Sequence, residues 1–143
     1  MQKVIIFSNL TEEKIDNAIL KKLGRVILKE EGIKGNESIN CVFTDNKYIE
    51  HLNREYRGKN SPTDVITFSF VEGEGAEYRK GMFGDIYISL EMVRDNAKKY
   101  GQNFIDELKL LFVHGMLHLL GYYDEEEKDM KTMRSKERYY LNK

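Results

Sequence analysis

The sequence predicts an α+β fold: one domain over residues 1–143, with about four strands in a small sheet packed by about five helices. Three observations predict it. The 143-residue length suits a single hydrophobic core. Short apolar or alternating runs are interspersed with longer stretches of helical periodicity. No repeat, low-complexity tract or linker composition divides the chain. With 41% hydrophobic and 33% charged residues, it can bury a core and stay solvated, unlike a disordered chain.

Residues 3–7 read as a short buried strand. Thr11 then offers an N-cap, with Glu12 and Glu13 in the first turn, where the helix dipole favours acids. Ile15, Ala18, Ile19, Leu23, Val26 and Ile27 recur at helical spacing, so a helix is predicted over 12–30. Lys21, Lys22, Arg25 and Lys29 form its solvated outer face, and Gly32 and Gly35 close it. Residues 38–44 alternate as a second strand, and Asp45 caps a short helix over 46–56. Residues 57–62 form a turn-rich loop holding the only proline, Pro62. Residues 65–70 are a β-rich third strand, 72–82 have loop composition, and 84–90 read as a fourth strand. A helix over 91–100 stops at Gly101. The most apolar helix spans 104–120, with Ile105, Leu108, Leu111, Phe112, Met116 and Leu119 toward the core, and Gly121 ends it in a left-handed turn. The last helix, 125–139, is charged and amphipathic through Met130 and Met133.

A net charge of −1 argues against a protein that coats duplex nucleic acid non-specifically, though not against a small basic cleft. No apolar run approaches the roughly 20 residues of a membrane helix. The apolar stretch at 4–7 is too short for a secretory signal. Cys41, the only cysteine, rules out an intramolecular disulfide and a Cys-rich zinc site, and a cytoplasmic location fits.

The chemistry concentrates in His114-Gly115-Met116-Leu117-His118-Leu119-Leu120-Gly121-Tyr122-Tyr123-Asp124. Histidines at i and i+4 project from one helix face, within reach of one ion. Gly121 releases the chain so that Asp124 can swing back as a third ligand. A one-residue slip offers Glu125 instead, or leaves the position to water. Two or three protein ligands with an open position make a catalytic zinc centre, which brings the pKa of its water to about 7. Zinc peptidases of the H-E-x-x-H type carry a glutamate base where this chain has Gly115. Its absence favours a phosphodiester over a peptide as substrate, provided a cation stabilises the phosphorane. Arg57, at a glycine- and proline-containing loop, is the candidate phosphate clamp.

The run HGMLHLLGYYD resembles the H-G-x-L-H-L-x-G-Y-D-H signature of the YbeY family of bacterial endoribonucleases. The block from Leu52 to Phe68 resembles that family's L-N-x-x-Y-R and P-T-D-V-L-S-F segments, and residues 84–89 resemble its G-D-I-x-I-S strand. The resemblance implies an α+β fold with a mixed sheet. It also implies a metal-dependent, single-strand-preferring endoribonuclease of ribosomal RNA maturation, especially of the small subunit, and of ribosome quality control. One zinc ion per chain would be held by the motif residues, here His114, His118 and Asp124, with His114 and Arg57 catalytic. Arg57 and Lys59 would bind substrate, and the partners would be single-stranded RNA, ribosomal RNA and small-subunit proteins. Two departures stand out: Asp124 falls where the family has a third histidine, after Tyr123 where aspartate is usual, and Ser69 stands where proline usually follows the S-F pair. A carboxylate still ligates zinc, but its charge makes the ion a weaker Lewis acid. Asp64 and Asp85 are further candidates for orienting ligands or substrate. The alternatives are a non-enzymatic ribosome-assembly factor with a structural metal, and a zinc peptidase.

Overall fold

The computed structural model describes residues 4–35, 38–69 and 82–143. The predicted loop at 72–82 lies outside the described residues except for Met82, which begins a strand. The elements run β1 (Val4–Asn9), α1 (Ala18–Glu30), β2 (Ser38–Thr44), α2 (Asn46–Arg57), β3 (Val65–Ser69), β4 (Met82–Ser89), α3 (Leu90–Tyr100), α4 (Phe104–Leu119) and α5 (Glu127–Leu141). The fold class is therefore α+β, as expected: five helices and a four-stranded sheet of order β1-β2-β4-β3. β1 and β4 both run parallel to β2, and β3 pairs antiparallel with β4, so the sheet is mixed.

The beginning of α1 is a correction. Thr11 is not its N-cap. The Asn9 carboxamide oxygen accepts from the Thr11 amide at 2.9 Å and its hydroxyl at 2.7 Å, and the Thr11 hydroxyl accepts from the Glu13 amide at 3.2 Å. These short polar side chains satisfy the backbone in a turn and compete with helix. The helix begins only at Ala18, whose amide donates to Asp16 at 3.0 Å. Its buried face is also shifted, to Leu20, Leu23, Gly24, Ile27 and Leu28, while Ile19 is exposed. Gly24 explains the shift: a Cβ there would stand 2.2 Å from Ile5 Cδ1 and 3.2 Å from Phe112 Cζ. The helix is thus pressed onto β1 and α4 at the one residue without a side chain. β1, read as a buried strand, is an edge strand with one covered face: Ile5 is buried while Val4 and Ile6 are exposed.

α4 is the centre of the molecule, packing on α1, α3, α5, β3 and β4. Leu108, Leu111, Phe112, Met116 and Leu119 are buried as expected, whereas Ile105 is exposed in the first turn. The core joins these side chains to Ile5, Ile39, Cys41, Phe43, Ile86 and Ile88 of the sheet. Cys41 belongs to this packing, and burial pushes its thiol up, away from reactivity. On the opposite sheet face, Ile49 and Leu52 of α2 cover Ile66, Phe68 and Tyr87. Asp45 caps α2 as predicted, accepting from the Tyr48 amide at 2.8 Å. Among the described residues, no helix is long and apolar enough to cross a membrane.

Candidate metal centre

His114 and His118 lie one turn apart on α4, and both are partly buried. Their Nε2 atoms converge to 3.0 Å. α4 ends at Leu119, and the Leu120 and Gly121 amides double back onto carbonyls of the last turn. Gly121 has φ +100°, a left-handed value that side chains resist, so glycine makes this exit possible. The chain then returns Asp124 to the histidines. Its Oδ2 lies 3.5 Å from His114 Nε2 and 3.7 Å from His118 Nε2. His114, His118 and Asp124 form the group whose ligand atoms converge within 4.8 Å of one another, and Glu125 is not in it.

These spacings suit a divalent ion. Zinc bonds of about 2.0–2.1 Å imply a tetrahedral edge of about 3.3–3.4 Å. The three observed edges, 3.0, 3.5 and 3.7 Å, bracket that value. An ion held by these three donors alone would keep a fourth position for water or substrate, the pattern of a catalytic centre.

Glu137 completes the arrangement, and sequence reasoning missed it. Its Oε2 lies 2.6 Å from His114 Nδ1. A carboxylate there makes Nδ1 the protonated nitrogen and leaves Nε2 to face an ion, the usual support of a ligating histidine. Glu137 is nearly buried on α5, one turn from Met133 and one from Tyr140. An acid on the apolar stripe Met133, Glu137, Tyr140 was the available signal.

Electrostatically, the two histidines are driven apart. Burial works against charge on His114, but the hydrogen bond and charge of Glu137, with Asp124 and Asp64 beyond it, outweigh burial and raise its pKa. His118 is lowered, first by burial and then by the charge of His114. His114 is therefore the more readily protonated of the two.

Gly115, between the histidines in sequence, points elsewhere. A Cβ there would stand 2.8 Å from Ile86 Cγ2 and 3.5 Å from Val65 Cγ2. The position where a zinc peptidase carries its glutamate base is pressed against the sheet. Arg57 is the last residue of α2 and Lys59 follows the left-handed Gly58; both are exposed. Among the described residues, neither is hydrogen-bonded or ion-paired to the His–Asp group. The loop they open runs to Asp64, whose charge His114 feels, and to Val65 beside Gly115. Asp85 lies on β4, accepting from Asn40 Nδ2 at 3.0 Å, and serves the sheet.

A family model described as Endoribonuclease YbeY matches residues 6–143. A Pelotomaculum thermopropionicum protein named Endoribonuclease YbeY is 39% identical, covering 97% of this chain and 95% of the relative. One of the same name from Carboxydothermus hydrogenoformans is 42% identical, covering 90% and 87%. The solution structure of TM1509 from Thermotoga maritima superposes with a TM-score of 0.64 at 28% identity, over 97% of this chain and 87% of that one. The resemblance carried by the histidine motif and its two companion segments is borne out.

Proposed function

The chain belongs to the endoribonuclease YbeY family, and on that premise we propose that it is a zinc-dependent endoribonuclease. Its substrate would be single-stranded RNA, and its task the maturation of ribosomal RNA, especially of the small subunit, and ribosome quality control. The observation that supports this reading most is the convergence of His114, His118 and Asp124 on one point, with Glu137 behind His114. His114 Nε2, His118 Nε2 and an Asp124 oxygen would hold the ion. Glu137 keeps the proton of His114 on Nδ1, so the imidazole meets the ion in the ligating tautomer. A bound zinc ion supplies Lewis acidity and lowers the pKa of water to about 7. Arg57 would clamp the phosphate in bidentate fashion, with Lys59 adding charge beside it. In the reaction, water adds at phosphorus and the bond to one ester oxygen breaks.

A structural metal in a non-enzymatic assembly factor would need a closed centre, and the convergence of three ligating groups among the described residues supports the enzymatic reading instead. A peptidase would need a base at position 115, which faces Ile86.

Elemental analysis and an RNA cleavage assay on the purified protein test the proposal together. We expect one zinc per chain in the wild type and a lower zinc content in Asp124→Ala, where His114 and His118 alone would bind the ion more weakly. His114→Ala and Arg57→Glu should each abolish cleavage of single-stranded RNA while far-UV circular dichroism stays unchanged. Cleavage surviving in both variants would sink the enzymatic reading, since a contaminating nuclease would then explain it.

A further inference from the structure

We infer that Glu31, at the far end of α1, is a positioning residue for the metal centre that sets the place of Asp124 by holding Tyr122. The inference rests on the metal-binding reading of His114, His118 and Asp124. Asp124 sits in a segment without regular secondary structure, and its side chain is 41% exposed. Its position must therefore come from anchors on either side of it. Tyr123 meets the His118 ring edge-on at 6.4 Å between centroids, and the anchor before it is Tyr122, two residues from Asp124, so the chain between them spans no more than about 7 Å.

Tyr122 is fixed at three points. Its amide donates to the Leu117 carbonyl at 3.0 Å, which ties its backbone to α4. Its hydroxyl donates to Glu31 Oε1 at 2.6 Å. The Lys136 ammonium lies 5.6 Å from its ring centroid and is itself held by Glu31 Oε2 at 3.0 Å. Glu31 also accepts from the hydroxyl of Tyr140, which is buried. One carboxylate, with 10% of its side chain exposed, thus gathers a residue from the metal-loop segment and two from α5. Lys136 and Tyr140 lie on either side of Glu137, the partner of His114, so α5 meets both the loop, through Glu31, and the histidine.

Such anchoring matters because ligating groups must be held within a fraction of an ångström to bind tightly, and loss of an outer partner commonly costs 10–100-fold in metal affinity. Nothing near Asp124 in sequence announces this: Glu31 is 91 residues from Tyr122.

The test is zinc affinity of the full chain, measured by competition with a chromophoric chelator. Tyr122→Phe removes one hydroxyl, and Glu31→Gln removes one charge. Each should weaken zinc binding about 10-fold, with the far-UV spectrum unchanged. In an Asp124→Ala background the same substitutions should cause no further loss, because the ligand they place is gone. Unchanged affinity in Tyr122→Phe would overturn the inference, and so would a loss that persists undiminished in the Asp124→Ala background. Should Glu31→Gln fail to fold, Tyr122→Phe decides alone. A wild type that binds no zinc would overturn the metal reading and this inference with it. A tightly binding wild type with unaffected variants would overturn this inference only.

Discussion

An imidazole can meet a metal through either nitrogen, and at His114 the choice falls to Glu137, whose carboxylate lies 2.6 Å from Nδ1. The same carboxylate raises the pKa of His114 against the effect of burial. These two effects pull in different directions for metal binding: the first presents Nε2 to the ion, and the second makes a proton a stronger competitor for it. Removing the partner separates them. We expect Glu137→Ala to weaken zinc affinity by about 10- to 100-fold, since tautomer and ring orientation are both lost. Glu137→Gln keeps an acceptor oxygen and should lose less. Chelator competition on the two variants measures the difference, and equal affinity in wild type and Glu137→Ala would show that His114 needs no orienting partner.

At the scale of elements, the metal centre depends on how closely α4 lies on the sheet. Two of its contacts are glycines: a Cβ at Gly84 would stand 2.7 Å from Leu119 Cδ2, and one at Gly115 would stand 2.8 Å from Ile86 Cγ2. Gly115 therefore has a second meaning. Read as sequence, it is a missing general base; in the fold, it is the residue that lets the histidine-bearing turn of α4 reach β4. Restoring a glutamate there should not create a peptidase. We expect Gly115→Glu to destabilise the protein by about 1–3 kcal/mol through overpacking, and further if its carboxylate stays buried. That corresponds to a fall of about 2–12 °C in melting temperature, by the roughly 2–4 °C per kcal/mol typical of chains this size. A variant that melts with the wild type, or that gains zinc-dependent peptidase turnover, would refute this account of Gly115.

For the molecule as a whole, what was legible from sequence divides along the range of the interactions involved. Elements set by local periodicity and capping emerged close to their ends, because Asp45, Gly58 and Gly101 act on backbone within a turn. His114, His118 and Asp124 were legible because eleven residues of one helix and its exit carry all three. The misreadings at Thr11, Ile19 and Ile105 arose where a competing turn or the packing of distant elements decided, as Gly24 does for α1. Glu137 left only the indirect sign of an acid on the apolar stripe of α5, and Glu31 left none, for the same reason. Each acts across 23 and 91 residues of chain respectively, through contacts no spacing rule describes. Glu31 also joins the first helix to the last, through Lys136 and Tyr140, and that gives the folded state an acid-sensitive link. Burial alone would raise its pKa, but hydrogen bonds from Tyr122, Tyr140 and Lys136 outweigh burial and bring it below the ordinary glutamate value of 4.5. A carboxylate depressed in the folded state contributes stability that is fully present above its unfolded value and is lost as pH falls through its folded value. The stability difference between wild type and Glu31→Gln should therefore be constant near neutral pH and shrink as the pH falls below 4.5. Urea denaturation of both proteins along a descending pH series measures it. A difference that stays flat through that range would mean the link is held by geometry rather than by the charge of Glu31.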